Sequence, residues 1–172
     1  MTIAADIQTP TSTALAITPE QTCDRAEVDA LVMAAFGPGR YAKTAERIRE
    51  QAQMAAGFVA RDVSQGEGGR LIGGVRLWSV EIEGQPALFL GPITVAADER
   101  RGGLGADLVA ACIDYGRRCD IAGILLVGDL AYFSRFGFEP APQVRLQGPA
   151  DPRRVLWLPI SGPAPSGLAL PV

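Results

Sequence analysis

Histidine is absent from all 172 residues of the chain. That excludes Ser–His–Asp triads, HExxH-type zinc sites and imidazole acid–base chemistry. Carboxylates, tyrosine, serine, cysteine, backbone amides and water remain as the groups able to move protons. Cysteine is scarce: Cys23, Cys112 and Cys119 form no CxxC pair, and their odd number gives no disulfide framework. All three are expected to pack as small apolar side chains, and no metal site is expected. No run approaches the ~18 apolar residues of a membrane helix, so no membrane partner is expected. The first residues, MTIAADIQTPTST, lack the basic flank and apolar core of a secretory signal, which points to a cytoplasmic setting. Basic residues do not dominate either. A net charge of −3 argues against nucleic acid as a partner. No GKS or GKT follows a glycine loop, which excludes a P-loop.

What is present suffices for one domain with a substantial core, since 48% of the residues are hydrophobic against 20% charged. Residues 1–12 are rich in Thr and Pro and are expected to be poorly ordered. The domain is expected over 13–160, and the Pro/Gly-rich tail 161–172 is expected to form no element of its own.

The patterning between those limits is mixed. Leu15 and Ile17 suggest a first short strand. Thr22 or Asp24 could cap a helix running to about Phe36, and Gly37, Pro38 and Gly39 break it. A second helix is expected over Lys43 to Met54. Three consecutive strands follow at Gly57–Val63, Arg70–Glu83 and Pro86–Ala96, with turns at Glu67-Gly68-Gly69 and Glu83-Gly84-Gln85. Gly73-Gly74 predicts a bulge or a close backbone approach. A helix from Gly103 to about Arg118 carries Leu104, Leu108, Val109, Ala111, Cys112 and Tyr115 as its apolar stripe. Ile121–Val127 is a continuous apolar run, as for a strand covered on both faces. A short helix at Ala131–Phe136, stopped by Gly137, precedes strands at Val144–Leu146 and Val155–Ile160.

The segment with the most chemical content is Leu88 to Ala106, LFLGPITVAADERRGGLGA. A strand there feeds a loop of Arg100, Arg101, Gly102, Gly103 and Gly105, and a helix starts at once. Such a loop converges backbone N–H groups on one small volume, and the helix adds the positive end of its dipole. The combination is suited to phosphate oxygens. A dinucleotide-binding fingerprint fits poorly, because Leu108 stands where GxGxxG needs its third glycine.

With this element order, the chain resembles the GNAT superfamily of acyl-CoA N-acyltransferases. Arg100-Arg101-Gly102-Gly103-Leu104-Gly105 matches that family's Gln/Arg-x-x-Gly-x-Gly/Ala pattern. Leu90-Gly91-Pro92-Ile93-Thr94-Val95 is similar to its bulged fourth strand. Gly128 to Phe138, GDLAYFSRFGF, is similar to a late segment in a bacterial subgroup of predicted acetyltransferases. The resemblance spans roughly Leu15 to Ile160. It implies an α+β, three-layer fold with a mixed, mostly antiparallel sheet of about seven strands, splayed between the fourth (Phe89–Val95) and fifth (Gly123–Val127).

The same resemblance implies acetyl-CoA as cosubstrate. Its pyrophosphate would lie on the amides of Gly102, Gly103, Leu104, Gly105 and Ala106 with Arg100 and Arg101. Its pantetheine arm would pair with the backbone of Ile93, Thr94 and Val95. The reaction implied is direct attack on the thioester by the amine of a small molecule or peptide, with a backbone N–H near Ile93 or Thr94 stabilising the oxyanion. Two departures stand out. Phe133 occupies the position where many relatives carry a tyrosine able to protonate the thiolate. Ala87, Leu88, Phe89 and Leu90 supply no carboxylate base on the fourth strand. Tyr132 is the first substitute acid and Ser134 the second, against the alternative that Tyr132 only fills the end of the core. Asp129 is read as a helix cap, and Glu81 and Glu83 as a solvated hairpin rim. A CoA-binding module without transferase activity is the competing function. The late strands and apolar tail are compatible with a homodimer.

Overall fold

The computed structural model describes residues 15–39, 44–64, 66, 68–99 and 102–172. The expected tail at 1–12, together with Arg100 and Arg101, lies outside the described residues. The elements run β1 (Leu15–Pro19), α1 (Arg25–Phe36), α2 (Thr44–Gln51), β2 (Met54–Asp62), β3 (Arg70–Ile82) and β4 (Gln85–Val95). They continue with α3 (Leu104–Arg117), β5 (Gly123–Val127), α4 (Leu130–Phe133), β6 (Glu139–Pro140), β7 (Val144–Arg145), β8 (Val155–Pro159) and β9 (Gly167–Pro171).

The strands form one mixed sheet in the order β1-β2-β3-β4-β5-β8-β6, and β9 pairs with both β3 and β7. β1 through β4 are antiparallel neighbours, with β2–β3 and β3–β4 joined at the two expected hairpin turns and β1 returning to β2 after two helices. β4 and β5 run parallel, which requires the α3 crossover between them. Seven strands lie on the main path, as expected, and β7 and β9 add to it.

β9 corrects the expectation for the tail. β3 outruns β2, and its last residues Val80, Glu81 and Ile82 would present an open edge. β9 fills that edge by pairing Ala169 with Ile82, Leu170 with Glu81 and Pro171 with Val80. Ala169 is fully buried there. Open edges and apolar alternation together recruit a segment whose Pro/Gly content, taken locally, argues against structure.

Alternation along the central strands sorts the core onto two faces. Leu88, Leu90, Ile124, Leu126, Leu156 and Leu158 pack with α3 on one face. Ala87, Phe89, Leu125, Val155 and Trp157 pack with Ile48 of α2 on the other. Gly73 and Gly74 mark the same division. A Cβ on Gly73 would touch Leu104 and Leu108 of α3, and one on Gly74 would touch Val28 of α1. The close approach expected at this glycine pair is real, and the β2–β3 register slips beside it, between Ala60 and Arg61. Cys112 is buried, and that burial pushes its thiol well above the usual range. Cys23 is exposed, contrary to the expectation that all three cysteines pack.

A buried ion cluster fastens α1 to the sheet. Arg76 of β3 donates from Nε to Glu20 Oε2 at 2.9 Å, from Nη2 to Glu20 Oε1 at 2.6 Å and from Nη1 to Asp29 Oδ1 at 2.6 Å. The Glu20 carboxylate lies over Gly57, where any Cβ would collide with it. Its side chain is 1% exposed and that of Arg76 is 10% exposed, so losing Glu20 leaves a largely buried guanidinium with the 64%-exposed Asp29 as its remaining carboxylate. Glu20→Ala is therefore expected to lower unfolding free energy by about 3 kcal/mol, measured by chemical denaturation, where a loss below ~1 kcal/mol would contradict this role.

Candidate functional site

The site begins where β4 departs from regular pairing. On β3 the partners step from Val75 (opposite Ile93) to Leu77 (opposite Leu90), so Gly91 and Pro92 stand against Arg76 alone. This is a β-bulge, and it bends the strand that carries it. Gly91 has φ of 132°, a conformation suited to glycine. The Trp78 indole N–H donates to the Gly91 carbonyl at 2.6 Å and fixes the bend.

The bend matters because β4 and β5 pair only at Leu88 with Ile124 and Phe89 with Leu125. Beyond those residues the strands diverge. A cavity of about 600 Å³ opens between them, walled by Leu90 through Ile93 of β4 and Leu126, Val127, Gly128 and Asp129 from β5 and its turn. Phe36, Thr44, Arg49, Phe133, Pro149, Asp151 and Arg154 complete its outer wall. Thr44 Oγ1 donates to the Pro149 carbonyl and ties α2 to that wall.

A second cavity, of about 460 Å³, lies on the α3 side of the same strand. It is lined by Ile93, Val95, Gly103, Gly105, Ala106, Tyr132, Phe133 and Arg135. Gly103 is the N-cap of α3 with φ of 80° and no side-chain cap. No side chain caps this end, and of its amides the Gly102 N–H donates to the Glu99 carbonyl at 3.3 Å and the Ala106 N–H to the Gly103 carbonyl at 2.8 Å. The sequence-predicted residues divide here. Ile93, Val95, Gly103, Gly105 and Ala106 line the cavity, whereas Leu104 and Thr94 are buried at 3% exposure. The Thr94 hydroxyl donates to the Leu31 carbonyl at 3.4 Å, so only the backbone of Thr94 is left for a ligand.

Tyr132 is part of an aromatic group on the far wall. Its ring lies 4.9 Å from Phe133, edge to face, and the Arg135 guanidinium covers it at 4.0 Å. Its hydroxyl sits 3.2 Å from the point a Cβ on Gly105 would occupy, and thus faces the glycine turn. Tyr115 is engaged elsewhere: its hydroxyl donates to the Ala55 carbonyl at 3.1 Å, and burial, with Cys119 adding, raises its pKa. Ser134 is exposed and lines neither cavity. Asp129 caps α4 as expected, with Oδ1 accepting from the Ala131 N–H at 3.0 Å. No group of three or more potential metal ligands occurs among the described residues.

The sequence model of the acetyltransferase (GNAT) family matches residues 26–138. This chain belongs to the GNAT family. YhbS of Escherichia coli (strain K12), an uncharacterized N-acetyltransferase, is 34% identical to it over 120 residues, 69% of this chain and 70% of YhbS. The crystal structure of E. coli YhbS in complex with CoA matches with a TM-score of 0.77 at 26% identity, covering 95% of this chain and 93% of that one. A GNAT acetyltransferase from Brucella melitensis in complex with acetyl-CoA matches with a TM-score of 0.70 at 25% identity, covering 92% and 96%.

Within this GNAT fold, the two cavities share Ile93 and Phe133 among the described residues. Phe133 reaches that junction because Gly128 leaves it room: a Cβ there would lie 2.5 Å from Phe133 Cε2 and 2.8 Å from Leu126 Cδ1. Sequence reasoning missed Arg135 as a lining residue. Its position three residues after Tyr132 on a helical turn was the available signal. Gly128→Ala should overpack the junction and cost about 1–3 kcal/mol in denaturant titrations. Gly39→Ala, with nothing within 4 Å, is the control expected to be neutral.

Proposed function

We propose that the chain transfers the acetyl group of acetyl-CoA directly to the amine of a small molecule or peptide. The observation that carries this reading is the meeting of two cavities at one point on a bulged strand. The cavity at Gly103, Gly105 and Ala106 would take the cofactor, and the cavity between β4 and β5 the acceptor. In this reading the pyrophosphate lies on the amides of Gly102 to Ala106, with Arg100 and Arg101 as further cations. Arg135, spread over two aromatic rings and without a carboxylate in ion-pair range among the described residues, adds charge from the opposite wall. The pantetheine arm follows the backbone of Ile93, Thr94 and Val95, which puts the thioester at Ile93 and Phe133.

The chemistry then asks little of side chains. The amine lone pair attacks the thioester carbonyl, and a β4 amide stabilises the oxyanion. The C–S bond breaks as the intermediate collapses, and the thiolate gains a proton. Tyr132 is the phenol on the cofactor side, and we assign it that proton. Ser134, outside both cavities, is the weaker candidate. The CoA complexes of YhbS and of the Brucella protein support the cofactor assignment by likeness.

CoA or acetyl-CoA at about 100-fold above Kd should stabilise the fold by about 2.7 kcal/mol, a rise in Tm of roughly 5–10 °C. No shift with any acyl-CoA would remove the assignment. Tyr132→Phe should lower kcat about 10–100-fold with CoA affinity retained. Unchanged kcat would instead leave Tyr132 as a packing residue.

A further inference from the structure

We propose that the acceptor is an α-amino acid with a free carboxylate and an apolar side chain; this rests on the transferase reading above. The charged groups of the cavity between β4 and β5 differ in whether they already have partners. Four charged residues line it: Arg49, Asp129, Asp151 and Arg154. Arg49 is paired with Glu46 at 3.1 Å, and Asp151 with Arg153 at 2.9 Å. Neither Asp129 nor Arg154 has an oppositely charged partner within ion-pair distance among the described residues. Arg154 makes one long hydrogen bond, from Nε to the Gly128 carbonyl at 3.4 Å, and acts on Asp151 only through space, since the Asp151 carboxylate is bonded to Arg153. Asp129 uses Oδ1 to cap α4.

These two residues are neighbours in space without pairing to each other. The Gly128 N–H donates to the Arg154 carbonyl at 2.9 Å, which holds the turn after β5 against the start of β8. One cationic and one anionic side chain thus flank the same turn, facing one cavity. An α-amino acid carries its ammonium and carboxylate on a single carbon, so one small ligand offers both charges to this turn. The carboxylate matches the planar fork of Arg154, and the ammonium matches Asp129. Asp129 also stands on the correct side for reaction. It follows Gly128, against which the Phe133 ring packs, and Phe133 marks the junction with the cofactor cavity. The rest of the wall, including Phe36, Pro92 and Pro149, offers apolar surface to the acceptor's side chain.

The proton balance closes. The bound ammonium gives one proton to Asp129, which passes it to solvent, and the neutral nitrogen forms the N–C bond. The C–S bond breaks, Tyr132 protonates the departing thiolate, and the second nitrogen proton restores the phenol. The products are an N-acetylamino acid, CoA-SH and one released proton.

The test measures thiol release from acetyl-CoA by the full chain, with three acceptor sets: apolar α-amino acids, their methyl esters, and polyamines. The acids should be preferred over their esters by about tenfold or more in kcat/KM. Arg154→Gln should raise KM for the acids by a similar factor and for the esters by much less. Asp129→Asn, which retains a capping side chain, should lower kcat/KM for acids and esters alike without loss of Tm. Preference for esters or polyamines, or an Arg154→Gln effect equal on acids and esters, overturns this assignment and leaves the transferase reading standing. No thiol release from any acceptor, with CoA still raising Tm, overturns both.

Discussion

Two backbone pairings, Leu88 with Ile124 and Phe89 with Leu125, hold β4 to β5, and past them the central sheet is open. A parallel pair kept in register for longer would be a more regular sheet with no room inside it. The bulge at Gly91 and Pro92 bends β4 away from β5, and the Trp78 indole locks the bend by binding the Gly91 carbonyl. The two cavities lie on the two sides of that bent segment. One side looks toward the start of α3 and the other into the gap between strands, with Ile93 and Phe133 common to both.

The outer parts of the fold keep that gap in shape. Arg76 stands opposite the bulge, and its bonds to Glu20 and Asp29 bind the first turn and α1 to the sheet at that level. Phe36, the last residue of α1, then reaches the wall of the cavity between β4 and β5. Thr44 does the same from α2 through its bond to the Pro149 carbonyl. Around these polar ties, strict alternation in β4, β5 and β8 places large side chains on both faces. A sheet packed on both faces resists closing its own cleft.

Much of this was legible from the sequence because the signals were local. The glycine turn at the start of α3, the hairpin turns, the apolar run at Ile121–Val127 and the Asp129 cap each follow from neighbouring residues alone. Likeness to the GNAT family added the splay and the cofactor, and the family match and the fold bear out that likeness. What was not legible depended on contacts distant along the chain. β9 forms because β3 leaves an edge uncovered almost ninety residues earlier. Arg135 lines a cavity because a helical turn brings it over Tyr132. The pairing state of Arg49, Asp151 and Arg154 could not be known until their partners were placed. Cys23 was misjudged because a cysteine's tendency to be buried says nothing about one at an exposed helix entrance.

The departures from the usual family pattern fit this arrangement. A phenylalanine at position 133 supplies an apolar wall at the junction, and Tyr132 turns its hydroxyl toward Gly105. No carboxylate is needed on β4 if the acceptor's proton leaves by way of Asp129 at the end of β5. The most direct single measurement is a crystal structure of the chain with CoA bound. The diphosphate is expected on the amides of Gly102 to Ala106, with the sulfur between Ile93 and Phe133. A diphosphate bound away from that turn, or a sulfur outside the gap between β4 and β5, would contradict the division of the site into these two cavities.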